Sequence, residues 1–440
     1  MFYAFNSYLK QFIRKGITYN KILKELNKTE FYSMEEIEKY NNIKLRKIIE
    51  HCYKYVPYYR ELFDKLKLKP GDITQKSDLE KLPFLDKFIV RDNLDKLLSK
   101  RLKDRVFVKK ARTGGSTGMP LSLYRDYFSI NFENACLWRN WLHAGDHSLK
   151  RVTLRGENIV PLDCKTPPFW KYSPATKELK MSSYHLNDET AELYVDRIIE
   201  FAPEIIYAYP SIVYQMALYF EKFNKTHKLT AVFTSSETLG IKQKKLIERV
   251  FDCRVFDWYG QAERVSAIAH CEEGTYHIVE DYSITELIPT EYGLEVVGTS
   301  LNNYLMPLIR YRTGDIIELS SEKCSCGRAF RTVERIRGRS GNYVVTPEGI
   351  KIPMIILSFV TDYSNNIDET QFVQRKKGEL IVRIVKNSNF TDSDLKDLIQ
   401  LCKKYTSDTM KIEVEIVKEI PRGPNGKYVM LINTIDSNEI

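Results

Sequence analysis

A regular alternation of strand-like and helix-like segments between residues 152 and 258 restricts the fold more than any other feature of the sequence. Four runs rich in β-branched and aromatic residues predict strands, at Val152–Arg155, Ile205–Tyr209, Thr230–Thr234 and Arg254–Trp258. Helical periodicity predicts helices between them, at Asp188–Phe201, Ile212–Phe223 and Lys242–Phe251. This alternation is typical of an α/β fold with a mostly parallel sheet flanked by helices. Ligands of such sheets bind beyond the carboxyl ends of the strands.

The segments on either side predict a helical N-terminal part and a change of texture after Tyr276. Helices are expected over residues 19–65, with a capping box at Ser33–Glu36 and a stop at Pro57, and over 78–98, with Pro83 as punctuation. A further helix is expected over 128–142, whose aromatic residues, Phe132 among them, favour core packing. Five short strands between residues 277 and 319 predict an antiparallel subdomain or small barrel.

A compact α+β pattern follows Arg339. We therefore expect a large N-terminal domain, residues 1–338, whose part from about 265 to 338 is rich in β-strands, and a small C-terminal domain, residues 339–440. The boundary is placed at Gly338–Asn342. The sequence shows no internal repeat.

Composition excludes several classes of protein. The 440 residues are 43% hydrophobic and 28% charged, and no run approaches the roughly 18 apolar residues of a membrane span. The net charge of +9 comes from scattered lysines, so nucleic acid is not an expected partner. Eight cysteines without a dense spacing do not suggest a secreted disulfide scaffold, and no signal peptide is evident. We expect a cytoplasmic location, and the oligomeric state stays open.

The stretch Ala111–Leu121, ARTGGSTGMPL, lies between two extended runs, 105–110 and 121–124. Its glycines and small hydroxyls leave backbone N–H groups free to wrap a polyphosphate. It lacks the lysine of the Walker pattern. A phosphate-binding loop and a plain glycine-rich β-hairpin are about equally compatible with the stretch taken alone.

Four further motifs follow in a fixed order: Tyr259-Gly260-Gln261-Ala262-Glu263, Tyr311-Arg312-Thr313-Gly314-Asp315, Gly338-Arg339, and Pro421-Arg422-Gly423-Pro424-Asn425-Gly426-Lys427. Together with the loop, they resemble the motif set of the adenylate-forming enzymes, the superfamily of acyl-CoA synthetases and luciferases. Residues 45–60 and 207–211 resemble in particular its phenylacetate–CoA ligase branch, which includes the CapK-type proteins associated with polysaccharide gene clusters. The resemblance runs from about Tyr40 to Lys427.

The resemblance implies activation of a carboxylic acid by ATP, and it implies roles for the motif residues. Lys427 would be the catalytic lysine, delivered by a mobile C-terminal lid to the α-phosphate and the substrate carboxylate. Glu263 would hold Mg²⁺, Asp315 would bind the ribose hydroxyls, and Tyr259 would stack on adenine. The full set expected to contact ATP is Thr113, Gly114, Gly115, Ser116, Thr117, Gly118, Ser236, Glu237, Asp257, Tyr259, Gly260, Asp315 and Arg339.

Taken alone, Glu263 could be a surface glutamate, Asp315 a turn residue and Lys427 one of many solvated lysines. The position of the lysine after Pro421 and Gly426 favours the catalytic role. The usual acidic hinge position is Gly341 here, which weakens the case for the second lid position and for thioester formation.

Four residues have the chemistry of a structural zinc site. Cys324 and Cys326 flank one residue, while Cys271 and His277 stand upstream, so a hairpin could assemble a Cys₃His tetrahedron. A reduced Cys-x-Cys turn is the alternative, with Cys253 or His270 as other possible ligands.

The acid itself is not identified by the sequence. The branch implies an acyl pocket formed by Phe132, Tyr184, His185, Tyr209, Pro210 and Ser211. An aromatic lining would suit an aryl acid, a sugar acid or a small hydroxy acid. The leading hypothesis is a carboxylate–CoA ligase. The others are an adenylating ligase with an amine, sugar or carrier-protein acceptor, and a nucleotide-binding scaffold without catalysis.

Overall fold

The computed structural model describes residues 8, 11–16, 18–113, 121–145, 150–339, 343–423 and 425–435. The predicted phosphate-binding residues Gly114 to Gly118 and the hinge position Gly341 lie outside these ranges.

The N-terminal part is helical, as expected. Its elements are helices α1 (Tyr19–Thr29), α2 (Met34–Tyr55), α3 (Pro57–Leu66) and α4 (Lys87–Asp92), strands β1 (Lys109–Arg112) and β2 (Ser122–Arg125), and helix α5 (Tyr127–Leu142). The capping box is confirmed: the Glu36 N–H donates to Ser33 Oγ at 3.2 Å and the Ser33 N–H donates to Glu36 Oε2 at 2.8 Å. The prediction of a helix over 78–98 is wrong. Only a 3₁₀ turn (Lys76–Lys81) and the six-residue α4 form there, because Pro83 interrupts the ladder and Asp86 caps a new helix.

The alternating segment forms the centre of a large sheet. It contains β3 (Arg151–Arg155), β4 (Trp170–Ser173), β5 (Glu178–Ser182), α6 (Ala191–Phe201), β6 (Ile205–Ala208), α7 (Pro210–Lys222), β7 (Ala231–Ser235), α8 (Ile241–Phe251) and β8 (Arg254–Gly260). Strands β5, β3, β6, β7 and β8 are neighbours in that order and run parallel. The predicted parallel sheet is therefore confirmed. Helices α6, α7 and α8 bury their apolar faces against it.

The β-rich segment that follows extends the same sheet. Its strands are β9 (Ala267–His270), β10 (Tyr276–Ile278), β11 (Ser283–Thr290), β12 (Gly293–Ser300), β13 (Tyr311–Leu319) and β14 (Thr332–Arg339). Within the described residues, β3 to β14 form one sheet of 12 strands in the order β11-β12-β13-β14-β10-β9-β8-β7-β6-β3-β5-β4. The predicted antiparallel, β-rich character of this segment is confirmed. Its strands do not close into a barrel but continue the main sheet, because β9 pairs directly with β8 in antiparallel register, Trp258 opposite Ala269.

The C-terminal part has a hydrophobic core of its own. It comprises β15 (Tyr343–Val345), β16 (Lys351–Pro353), α9 (Met354–Tyr363), β17 (Ile367–Lys376), β18 (Glu379–Lys386), α10 (Asp392–Tyr405), β19 (Lys411–Ile416) and β20 (Leu431–Asn433). Strands β17 to β20 form a four-stranded sheet, and buried residues such as Leu357, Phe372, Val382 and Leu398 pack between this sheet and the two helices. We refer to residues 343–435 as the lid and to the remainder as the body. The division at Gly338–Asn342 stays a prediction.

Candidate active site

The functional side chains predicted from the motifs converge at the carboxyl ends of the parallel strands. Strand β3 ends at Arg155, β6 is followed by Tyr209, β7 is followed by Ser236 and Glu237, and β8 contains Tyr259. Because these four strands are neighbours and parallel, their ends open onto one edge of the sheet.

Strands β1 and β2 form an antiparallel hairpin at the base of the glycine-rich loop. Arg112 stands opposite Ser122. The Thr113 N–H donates to the Leu121 carbonyl at 3.0 Å, and the Leu121 N–H donates to Thr113 Oγ1 at 2.8 Å. Thr113 therefore closes the neck of the loop. The segments on either side of residues 114–120 thus pair as the hairpin interpretation predicts, and phosphate binding by Thr113 to Gly118 stays a prediction.

Three motif residues meet at the predicted ribose site. The Tyr259 hydroxyl donates to Asp315 Oδ2 at 2.7 Å, and Arg339 Nε lies 3.3 Å from Asp315 Oδ1. Asp315 and Arg339 are opposite each other on β13 and β14. The Asp315 charge raises the pKa of Arg339, and burial raises the pKa of Tyr259, so the tyrosine remains a hydrogen-bond donor. The structure thus brings together residues that are up to 80 positions apart in three separate motifs.

Glu263 is buried with one oxygen engaged. Its Oε1 accepts from the Tyr311 hydroxyl at 2.9 Å, while Oε2 has no hydrogen-bond partner among the described residues. A buried carboxylate oxygen without a partner is costly unless a cation or another donor completes its shell. The donor set therefore fits Mg²⁺, which takes few carboxylates and completes its shell with phosphate and water oxygens.

The lid places Lys427 at this edge of the sheet. Its ammonium lies 5.8 Å from the centroid of the Tyr209 ring. Burial, together with the nearby charge of Arg155, lowers the pKa of Lys427, and Glu237 opposes that shift. The Gly423 N–H donates to the Lys427 carbonyl at 2.8 Å, which closes the loop that carries the lysine.

Close backbone contact holds the lysine loop against the body. Gly426 has φ +70°, and a Cβ added there would lie 3.0 Å from the Cα of Gly156. A Cβ added to Gly156 would lie 1.9 Å from the carbonyl oxygen of Asn425. Glycine is needed on both sides of this contact because a side chain on either would hold the two backbones apart.

Glu237 links the body to the lid. Its Oε2 accepts from the backbone N–H of Ser211 at 3.0 Å, at the start of α7, and its Oε1 accepts from the backbone N–H of Tyr428 at 2.7 Å. The residue after the catalytic-lysine candidate is therefore fixed to a strand end of the body. Both oxygens of Glu237 are engaged in this latch, whereas its predicted contact with nucleotide stays a prediction.

Arg155 was not singled out from the sequence. Its Nη2 donates to Ser236 Oγ at 2.7 Å, its Nη1 bonds the Tyr207 hydroxyl, and its guanidinium lies over the Tyr209 ring at 5.2 Å. Burial lowers its pKa. Its position as the last residue of a predicted parallel strand was the available signal, because such positions face the binding edge.

Two predicted site residues, Asp257 and Phe132, contact other buried residues of the protein. Asp257 is 3% exposed and accepts from Thr234 Oγ1 at 2.5 Å and from the Tyr276 hydroxyl at 2.8 Å, and burial raises its pKa to about 6. Both of its carboxylate oxygens are engaged within the protein, and its predicted contact with the adenine amine stays a prediction. Phe132 packs in the core beneath α1 and α2, with its ring 5.8 Å from that of Tyr282, and it is absent from the cluster around Tyr209. Phe132 therefore contributes to the core shared with the N-terminal helices, and its predicted place in the acyl pocket stays a prediction.

Residues at the end of β5 and the start of α7 carry unpaired polar atoms. His185 stacks on Phe169 with ring centroids 4.7 Å apart, and its Nδ1 lies 2.8 Å from Ser182 Oγ. His185 Nε2, Ser183 Oγ and Ser211 Oγ are buried without a hydrogen-bond partner among the described residues. Pro210 begins α7, where its missing N–H costs nothing, and the Tyr184 hydroxyl donates to the Gly156 carbonyl at 3.2 Å. Gly260, at the end of β8, packs against the Trp258 indole.

The predicted zinc ligands lie together beside the neighbouring strands β9, β10 and β14. The ligand atoms of Cys271, His277, Cys324 and Cys326 are all within 4.8 Å of one another. Cys271 Sγ and Cys324 Sγ are 3.6 Å apart, and Cys326 Sγ is 3.4 Å from His277 Nε2. Tetrahedral bonds of about 2.3 Å to sulfur and 2.0 Å to nitrogen require ligand separations of this size. His277 Nδ1 lies 3.1 Å from the Phe330 carbonyl, which leaves Nε2 free to bind a metal.

His270, one of the two alternative ligands, contacts Tyr276 and Asp257 instead. Its ring packs on Tyr276 with centroids 3.8 Å apart, and the Asp257 N–H donates to its Nδ1 at 3.1 Å. Four protein ligands leave no open coordination position, so the group fits a structural Zn²⁺.

No helix among the described residues combines the length and the apolar composition that a membrane span needs.

Comparison with known proteins gives a consistent picture. Residues 344–434 match the family model of the CapK C-terminal domain. The chain is 28% identical to the protein CapK of Staphylococcus aureus over 401 residues, 88% of each chain. It is 24% identical to the phenylacetate–coenzyme A ligase of Thermus thermophilus over 362 residues, 79% of this chain and 80% of that one.

Among solved structures, 2-hydroxyisobutyryl-CoA ligase in a postadenylation state superposes with a TM-score of 0.69 at 15% identity, covering 94% of this chain and 92% of that one. An open conformation of the same ligase, bound to its acyl-adenylate and CoA, gives a TM-score of 0.56 at 16% identity, covering 92% and 93%. The fold is therefore shared across nearly the whole chain.

Proposed function

We propose that this chain is an AMP-forming ligase of a carboxylic acid. The premise is that it is a homologue of CapK and of the phenylacetate–coenzyme A ligases and has the fold of the adenylate-forming enzymes. It would use ATP to convert the acid to an acyl-adenylate with release of pyrophosphate, and would then pass the acyl group to CoA. The observation that carries the proposal is the docking of Lys427 at the strand ends, 5.8 Å from the centroid of the Tyr209 ring, on a loop that contacts Gly156 and is bonded to Glu237.

The reaction brings two anions together, so charge neutralisation and positioning supply most of the catalysis. A carboxylate oxygen of the acid attacks the α-phosphorus, and the bond from that phosphorus to the pyrophosphate oxygen breaks. Lys427, on the docked lid, would bridge the acid carboxylate and the α-phosphate, and Arg155 would supply a second cation at the same edge. Asp315 would hold the ribose hydroxyls, and the residues from Thr113 to Gly118 would hold the terminal phosphates.

Mg²⁺, held by Glu263, would neutralise charge on the phosphates and on the departing pyrophosphate. The unpaired Glu263 Oε2 supports this assignment. Zn²⁺ at Cys271, His277, Cys324 and Cys326 would hold together the loops that precede β10 and β14 and would take no part in the chemistry.

We infer that the acid is hydrophilic. His185 Nε2, Ser183 Oγ and Ser211 Oγ are buried polar atoms without hydrogen-bond partners among the described residues. Of these, Ser183 Oγ lies beside Gly426 of the lysine loop. A substrate carrying hydroxyl or amide groups would satisfy them, whereas a plain aryl acid would leave them desolvated. A small hydroxy acid or a sugar acid fits this lining better than an unsubstituted aromatic acid.

The second half-reaction requires the lid to leave. The docked lysine loop covers Gly156 and is held by Glu237, so an acceptor can reach the adenylate only after these contacts break. The acceptor would be the CoA thiol. The alternative acceptor is an amine, a sugar or a carrier protein, in polysaccharide or secondary-metabolite synthesis. The similarity to CapK supports this alternative.

An acid-dependent ATP–pyrophosphate exchange assay, run against a panel of aryl, hydroxy and sugar acids, tests the proposal. At least one acid should support exchange, and Lys427→Ala should reduce exchange at least about 100-fold. Lys418→Ala, an exposed lysine of the same lid, is the matched control and should retain full activity. Exchange that is unaffected by Lys427→Ala would remove this lysine from the mechanism. Addition of CoA and a search for the thioester mass then distinguishes the two acceptor classes.

A further inference from the structure

Residues 100–112 form a largely exposed segment that is both basic and apolar. Its last two residues begin the glycine-rich stretch, and neither the adenylation chemistry nor the zinc site uses the other eleven. We call residues 100–112 the basic segment. Its seven basic residues are Lys100, Arg101, Lys103, Arg105, Lys109, Lys110 and Arg112, against one acidic residue, Asp104. Among the described residues, none of the seven forms an ion pair, so their charge is available to a partner.

The single acidic residue of the basic segment, Asp104, attaches the segment to the protein interior. Asp104 is buried, accepts from Ser99 Oγ at 2.6 Å, and lies 3.4 Å from His51 Nε2. Arg105 Nε donates to the Ser99 carbonyl at 2.9 Å, and the Phe107 ring packs edge-on against Tyr127 at 5.8 Å. These contacts fix the backbone, so the outward side chains are held in place by the fold.

With Asp104 turned inward, the neighbouring aliphatic side chains turn outward. Leu102 is 83% exposed and Val106 is 86% exposed, and Val108 is also exposed. Leu102 and Val106 are the most exposed large hydrophobic residues in the described part of the chain. Lys103, Arg105 and the pair Lys109–Lys110 are exposed beside them. Three exposed aliphatic residues within seven positions, bordered by cations, are the kind of grouping that marks an interaction surface, whereas single exposed residues are not.

We propose that the basic segment is a docking surface for an anionic lipid bilayer. Leu102 and Val106 would enter the boundary between headgroups and acyl chains, while the flanking lysines and arginines pair with lipid phosphates. A protein partner would need a concave pocket complementary to each protruding side chain, whereas a fluid bilayer adapts to them without one. The absence of a spanning helix among the described residues makes this a peripheral attachment.

Sedimentation with vesicles tests the proposal on the full-length protein and is independent of ligase activity. The protein should bind vesicles of phosphatidylcholine that contain about 30–40% phosphatidylglycerol, because this anionic lipid makes their surface strongly negative. It should not bind vesicles of pure phosphatidylcholine. Salt at about 0.5 M should release it, because the Debye length then falls to a few Å.

Two variants separate the charged and the apolar contributions. Lys109→Gln/Lys110→Gln should lower the partition coefficient about 30-fold through the loss of two surface charges. Leu102→Ser/Val106→Ser should lower it at least about tenfold through the lost insertion. The matched controls are the exposed pair Lys376→Gln/Lys377→Gln in the lid and the exposed single variant Ile241→Ser, both of which should bind like the wild type.

An absence of phosphatidylglycerol-dependent binding would overturn the proposal and would favour an acidic protein as the partner of this surface. Unchanged binding by both variants of the basic segment would also overturn it, because another surface would then be responsible. Equal melting temperatures of all variants would show that differences in binding are not losses of fold.

Discussion

The contact between Gly156 and the lysine loop offers a sharp test of the docked lid. In Gly156→Ala the new Cβ would lie 1.9 Å from the Asn425 carbonyl oxygen. An ordinary contact of this kind is about 3.3 Å, so the overlap is about 1.4 Å. Both atoms are held by backbone, and the lid can relieve the clash only by moving away from the body.

Moving away breaks the hydrogen bond from the Tyr428 N–H to Glu237 and leaves Lys427 short of its site. A hydrogen bond to a charged group contributes about 1.5–3 kcal/mol, and a steric conflict in a packed contact costs about 1–3 kcal/mol. We therefore expect the docked state to lose about 3 kcal/mol, which corresponds to about a 100-fold slower adenylation. The melting temperature should change little because Gly156 lies outside the core.

Two measurements check this prediction. Acid-dependent ATP–pyrophosphate exchange should fall about 100-fold, and hydrogen exchange of the Tyr428 backbone N–H should accelerate even without substrate. Gly71→Ala is the control, since a Cβ there meets no atom within 4 Å and should leave both readouts unchanged. Wild-type exchange and protection in Gly156→Ala would refute the assignment of this contact to the adenylating state.

Three other predictions concern the latch, the lysine and the metal. Glu237→Gln should slow adenylation about tenfold with little change in stability, because its amide cannot accept from two backbone N–H groups as well as a carboxylate does. Burial lowers the pKa of Lys427, so exchange activity should fall as pH rises through that lowered value, and Lys427→Arg should keep its residual activity over that range. A pH–rate profile that falls only on the acid side would contradict this. Cys324→Ser should lower zinc content, measured by elemental analysis, and reduce the melting temperature by several degrees, with exchange preserved at low temperature.

The central sheet could be predicted from the sequence because its signal is local. Strands β3, β6, β7 and β8 and the helices between them carry their own apolar periods, and the structure confirms their order and the parallel arrangement of these strands. Strands β4 and β5 were not predicted. The motif resemblance to the phenylacetate–CoA ligase branch is confirmed by the comparisons. Local signals failed for residues 78–98, where proline and capping chemistry divided a periodic stretch.

The site required tertiary information. Arg155 looks like an ordinary strand residue until β3 is placed beside β6 and β7, and Glu237 becomes a latch only when the lid is docked. Asp257 and Tyr259 are two residues apart on one strand. Asp257 accepts hydrogen bonds from Thr234 and Tyr276, whereas the Tyr259 hydroxyl donates to Asp315. Their different surroundings come from distant strands, which no local pattern encodes.

The sequence by itself determined the types of element, the order of the motifs and the chemistry that those motifs can perform, because periodicity and spacing are written along the chain. Only the tertiary structure decided that the β-rich segment continues the main sheet and that the lysine loop rests on Gly156. These outcomes depend on pairings between residues far apart in sequence, whose energies exist only once the backbone has brought the partners into contact.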